Sequence, residues 1–133
     1  GPVVATDVFQ LRVPVGYTVD RTVDLSIGAF DDDGPDMIFI GNRTDTSDLP
    51  LSEQVRISRD VGLWVGEVRR LADVTIDGVT FYHLMGHESG VPYVEEFGAV
   101  HAGTAVRISF NQFSAARERK ATVQSVLATF EWR

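Results

Sequence analysis

The residues with which this chain could do acid–base or metal chemistry are three histidines and a surplus of carboxylates. His83, His87 and Glu88 form the one arrangement that looks like a metal set. Two histidines four apart share a metal on a helix, but His83 reads as strand, where that separation spans ~13 Å. Even with a bend at Gly86 and His101 as a third ligand, a structural role is the simpler reading, and no metal is expected. Asp31, Asp32, Asp33 and Asp36 have the oxygens calcium prefers, yet EF-hand spacing and its terminal Glu are missing, so the run reads as a solvated turn. Ser89, the serine nearest a histidine, lies in polar turn sequence, and no Gly-x-Ser-x-Gly elbow occurs. A triad assembled from distant positions has no fixed order to search for. Glu95 and Glu96 are adjacent, so in a strand they point to opposite faces and cannot work as paired carboxylates. Glycine-rich phosphate loops are absent, and nothing calls for a cofactor. Asn42-Arg43-Thr44 is a formal glycosylation sequon and a weak one. The catalytic alternative is a small enzyme with a pocket beneath the segment from Gly41 to Gly66, using His83 or His101 as general base beside Glu95 or Glu96.

Recognition has its own candidates. Arg117, Arg119 and Lys120 form a positive cluster near a helix start, where cations oppose the macrodipole. Glu118 is a local partner that makes this a solvated face, and any ligand recruited there would be anionic. Trp64, Tyr82 and Tyr93, with Tyr17 and Phe97, are the aromatics that would line a groove if they were not packed in strands. The binding set is therefore Arg117, Arg119, Lys120, Trp64, Tyr82 and Tyr93.

Size and charge narrow the class. The 133 residues, 44% hydrophobic, suit one core. Gly1-Pro2 looks like a cleavage remnant, leaving 3–133 as a single domain. A net charge of −7 argues against nucleic acid, because phosphate binding needs a concentrated positive field. No run is long enough to span a membrane. With no cysteine there is no disulfide, thiolate metal site or cysteine nucleophile.

The elements follow from periodicity. Phe9, Leu11 and Val13 alternate up to Pro14, predicting an edge-compatible first strand, and Val15-Gly16-Tyr17 turns the chain. Thr22 to Ile27 predicts a second strand, closed by the turn chemistry of Asp31 to Pro35. Met37 to Ile40 is continuously apolar, predicting a strand buried on both faces and hence helices to cover it. A helix is expected over about Leu51 to Asp60, after Pro50 and with Glu53 in its first turn. Helical spacing continues through Val61, Trp64, Val65 and Val68, but Gly62 and Gly66 each cost roughly 1 kcal/mol in a helix interior. Asp77-Gly78, between Val74, Ile76 and Val79, Phe81, predicts a type I′ hairpin. Tyr93 to His101 and Ala105 to Phe110 predict another, joined by Ala102-Gly103-Thr104. Ser114 can cap a helix over Ala115 to Val126, and Thr129 to Trp132 predicts a final strand with Phe130 and Trp132 on one face, docked into a sheet formed earlier.

This order, with Phe9-Gln10-Leu11-Arg12-Val13-Pro14-Val15-Gly16-Tyr17 at one end and Ser125-Val126-Leu127-Ala128-Thr129-Phe130 at the other, resembles the PsbP-like α/β/α sandwich superfamily. The look is that of actinobacterial LpqN-type lipoproteins. The resemblance implies an α+β fold, a mostly antiparallel sheet covered by helices. It also implies a non-enzymatic binding or assembly domain of the bacterial cell envelope, recognising a protein or envelope ligand, or an immunity or chaperone-like factor sequestering another protein. Such lipoproteins attach through an N-terminal cysteine, so an extracytoplasmic location implies a signal and lipid anchor upstream of Val3. The superfamily shares no catalytic motif to carry onto these residues.

Overall fold

The computed structural model describes residues 1–21, 26–43 and 47–133. Among them the order is β1 (Val3–Ala5), β2 (Phe9–Arg12), β3 (Tyr17–Asp20), β4 (Ile27–Asp31), β5 (Met37–Arg43), α1 (Leu51–Val61), β6 (Arg69–Ile76), β7 (Val79–Glu88), β8 (Val91–His101), β9 (Thr104–Gln112), α2 (Ala116–Leu127) and β10 (Glu131–Trp132). Seven strands form one antiparallel sheet in the order β3-β4-β5-β9-β8-β7-β6, and β1-β2-β10 form a second, smaller one. The fold is α+β and mostly antiparallel, as expected.

Tight turns set the registers. Asp77 (φ 46°) and Gly78 (φ 78°) make the expected hairpin, pairing Ile76 with Val79. Ala102 (φ 50°) and Gly103 (φ 78°) make a second two-residue turn. Thr104 pairs with His101 and belongs to the strand, so that loop is one residue shorter than expected.

Strand alternation then divides the large sheet into two faces. Ile38, Ile40, Phe81, Phe97, Ile108 and Phe110 face the main core, where they meet Val4, Phe9 and Leu11 of the small sheet, Val123 and Val126 of α2, and Phe130. Tyr82 and Leu84 face the other way and pack on Val55 of α1. The large sheet thus lies between α1 on one side and α2 with the small sheet on the other.

Several expectations are corrected. The strand at Phe9 is central in its sheet, between β1 and β10, because Val3–Ala5 pairs on its outer side. Tyr17 opens a strand instead of completing a turn; Gly16, at φ 88°, makes the reversal. The strand expected over Thr22 to Ile27 falls largely outside the described residues, and Ile27 begins β4. Met37 and Phe39 are only half-buried, since α1 does not cover that end of the sheet as fully as the core covers Ile38 and Ile40. Helix α1 stops at Val61, where Gly62 turns extended and donates its N–H to Ser58 O at 2.8 Å. Ser114 is not the cap of α2. Ala115 holds that position, and Ser114 Oγ donates instead to Asp36 Oδ2 (3.3 Å). The last strand is only Glu131–Trp132, and it pairs with β2 on the small sheet. Phe130 and Trp132 still enter one core, with ring centroids 5.0 Å apart.

Candidate functional site

Antiparallel pairing lays a ladder of side chains across four strands on the α1 side of the sheet. Phe39 pairs with Ser109 and Ser109 with Glu96; Gly41 pairs with Arg107, Arg107 with Gly98, and Gly98 with Tyr82; Asn111 pairs with Val94. These polar residues alternate along the chain with core residues such as Phe97, Ile108 and Phe110, so each is held on a rigid strand facing away from the main core.

Glu96 is the centre of the ladder, at 5% exposure. Its Oε2 accepts from Ser58 Oγ (2.5 Å) and from Tyr82 Oη (2.8 Å), and its Oε1 accepts from Ser109 Oγ (3.3 Å). The Arg107 Nε lies 3.9 Å from Oε1. A carboxylate removed from water needs such donors, because an uncompensated buried charge is strongly unfavourable. Burial and the neighbouring Glu96 charge raise the Tyr82 phenol well above its ordinary value, so it stays a proton donor to that carboxylate.

The roof comes from the end of α1. Ser58 projects from the last turn toward the sheet, and the indole Nε1–H of Trp64 donates to Ser58 Oγ (3.2 Å), giving a relay from Trp64 through Ser58 to Glu96. Trp64 reaches this position because Gly86 beneath it has no side chain; a Cβ there would lie 3.0 Å from the ring. An isolated bridge between Trp64 and Glu88 and the bond from Val65 N–H to His87 O (2.9 Å) pin the segment to β7. Val61 and Leu63, 71% and 77% exposed, form an apolar lip.

Between roof and floor is a cavity of about 300 Å³ lined by Phe39, Leu63, Trp64, Glu88, Glu96, Arg107 and Asn111 among others. Burial is the main cause raising the Glu88 carboxyl above its usual range, followed by the Glu96 charge, with Arg107 opposing both. Asn111, 7% exposed, has an Oδ1 with no hydrogen-bond partner among the described residues. The site can accept hydrogen bonds and positive charge. Two hydroxyls engage Glu96 Oε2 and a third, at 3.3 Å, reaches Oε1, which keeps room for a further donor. A larger, more open depression of about 540 Å³ lies between β6 and the end of α2. Its carboxylate Asp77 is engaged by the Trp132 N–H (2.8 Å).

The six binding candidates do not form one surface. Trp64 and Tyr82 meet through Ser58 and Glu96 at this cavity. Tyr93 lies on the opposite face of the sheet, with the Arg119 guanidinium 3.5 Å from its ring centroid. Arg119 also donates to Ser114 O (2.8 Å), while Arg117 and Lys120 are exposed on α2. Glu118 accepts from the Ala115 N–H (3.2 Å), so it serves the helix start. Tyr17 and Phe97 belong to the main core.

A cavity does lie beneath the segment expected to cover one, but neither expected histidine lines it. His83 faces the other side, stacked on Phe97 at 4.2 Å and 3.1 Å from Glu95, and His101 packs on Trp132 at 4.7 Å. Alternation explains the separation: Glu95 goes with His83 and Glu96 goes to the cavity. Asp36 accepts from the Phe113 N–H (2.9 Å) and fastens the start of α2, while Asp31 accepts from the Asp33 N–H (3.0 Å) within the turn. Ser58, Arg107, Ser109 and Asn111 were missed. Arg107, Ser109 and Asn111 had a signal, polar residues at every second position of one strand on a face that a helix must cover; Ser58, on α1, had none.

No family model matches this chain, and no curated protein does. Among solved structures, a crystal structure from Bacteroides thetaiotaomicron VPI-5482 is similar, with a TM-score of 0.58 at 16% sequence identity, over 94% of this chain and 45% of that one. The chain spans less than half the length of that structure, and the likeness concerns the fold alone.

Proposed function

We propose that this chain is a non-enzymatic binding domain of the PsbP-like kind, working in the bacterial cell envelope, which receives part of a protein partner in the cavity between Gly62–Trp64 and the sheet. The observation that carries the reading is the Glu96 carboxylate, fixed by Ser58, Tyr82 and Ser109 on the floor of an open cavity whose lip exposes Val61 and Leu63. Preformed sites of this kind, with a few polar groups set in apolar walls, suit recognition. A sheet with helices on both faces supports the sandwich assignment. The envelope setting rests on the resemblance of the opening and closing segments to LpqN-type lipoproteins.

Photo-crosslinking tests it. A photoreactive amino acid at Leu63 should trap a partner protein from the envelope fraction of the native host, and the partner should be recovered with its mass unaltered apart from the crosslink. Trapping solely from Arg117 or Lys120 would move the binding surface to α2 and refute the reading. Capture of a glycan or lipid in place of a protein would change the ligand class.

A further inference from the structure

Resting on that binding reading, we infer that the cavity is an arginine pocket: it receives the guanidinium of an arginine side chain presented by the partner polypeptide, with Glu88, Glu96 Oε1 and Asn111 Oδ1 as its acceptors. Three independent features converge on this ligand. Among the described residues the charged groups lining the cavity are Glu88, Glu96 and Arg107, two acidic to one basic. Asn111 is nearly fully buried, lines the cavity and leaves its Oδ1 without a partner among the described residues, an acceptor that a small turn of the side chain would present to an incoming donor. The acceptors stand on three neighbouring strands, a spread that the five N–H donors of a guanidinium can span.

Shape agrees with charge. At about 300 Å³ the space is at the small end for ligand pockets, enough for one long side chain. Its apolar part, Phe39, Trp64 and the Leu63 lip, suits an aliphatic stem and offers ring faces to a guanidinium. The chain already places a guanidinium at this floor. Ser109 Oγ donates to Glu96 Oε1 at 3.3 Å and Arg107 approaches it only to 3.9 Å, with a side chain 55% exposed, so that oxygen keeps capacity for a further donor. Arg107 is therefore an internal competitor that the partner's arginine displaces toward solvent.

The test is a titration of this chain with Nα-acetyl-arginine amide, followed by backbone amide shifts, with the lysine, leucine and glutamate analogues as controls. Arginine should shift Glu88, Glu96, Arg107 and Asn111 with millimolar affinity, and lysine should bind several-fold more weakly. Glu88→Gln should weaken binding about tenfold, the loss expected for one charge-assisted contact, and Asn111→Leu should weaken it as well. Arg107→Gln should tighten binding about threefold, a gain that a purely structural role for Arg107 would not give. Preferential binding of the glutamate analogue, or tighter binding of lysine than arginine, would overturn the proposal. No shift with arginine while Leu63 still crosslinks a partner would overturn the ligand class alone; loss of both would remove the binding reading too.

Discussion

The hydroxyl of Tyr82 lies 2.8 Å from Glu96 Oε2, and it gets there by crossing a glycine. Tyr82 pairs across the strands with Gly98, two residues beyond Glu96, and a Cβ on Gly98 would fall 2.4 Å from the phenol ring. Gly98→Ala should therefore expel the ring, break the bond to Glu96 and destabilise by about 2–3 kcal/mol, the range for overpacking a core position. Tyr82→Phe keeps the ring and removes one donor, at about 1–2 kcal/mol. Urea denaturation of both variants checks the order: Gly98→Ala should be the worse.

Glu88 ties stability to pH. Its folded carboxyl is raised above the ordinary value of 4.5, by burial first and Glu96 second, with Arg107 opposing. The folded state holds that proton more tightly than the unfolded chain, so the contribution to stability is present below the unfolded pKa and is lost as pH rises through the folded one. Glu88→Gln removes the dependence. Thermal unfolding should show the variant more stable than the parent at pH 7 and the two converging near about pH 4.

Ala102 sits at φ 50° in a two-residue turn, a conformation that costs a side chain with Cβ roughly 1 kcal/mol. Ala102→Asn or Ala102→Gly should recover about 0.5–1 kcal/mol, because both residues accept positive φ. The midpoint of chemical denaturation should rise without a change in its slope.

Phe130 fastens the chain end to the core. Its ring stacks on Phe9 at 5.5 Å and meets Phe81 edge-on at 5.7 Å. Phe130→Ala should cost about 3–5 kcal/mol, and amide exchange should speed up throughout β2 and β10 while α1 keeps its protection.

Much of this architecture can be read from periodicity, for reasons that particular residues make clear. Asp77-Gly78 announces its hairpin because few residues other than Gly, Asn and Asp tolerate both positive φ values. Leu51 to Asp60 is legible as α1 because Gly62 ends it. The strand at Val3–Ala5 is not legible: three residues contain too little alternation, and β1 exists only because β2 offers an open side. The final strand is overestimated because Thr129 turns its hydroxyl back to Val126 O (2.7 Å) and shortens the ladder.

The site divides in the same way. Alternation separates Glu95 from Glu96 and puts them on opposite faces, as the sequence predicts. Which face carries a cavity depends on Ser58, 38 residues from Glu96 in the chain, and no local pattern joins those two. The aromatic set scatters because Tyr82 and Tyr93 differ in strand parity and fall on opposite sides of the sheet.

The central claim is that recognition occurs at the Glu96 cavity, and hydrogen-exchange footprinting of the chain with its crosslink-identified partner tests it most directly. Protection confined to Gly62–Trp64, Glu88, Glu96 and Arg107 to Asn111 is the predicted result. Protection over α2 or the β1-β2-β10 sheet, with those amides unchanged, would contradict it.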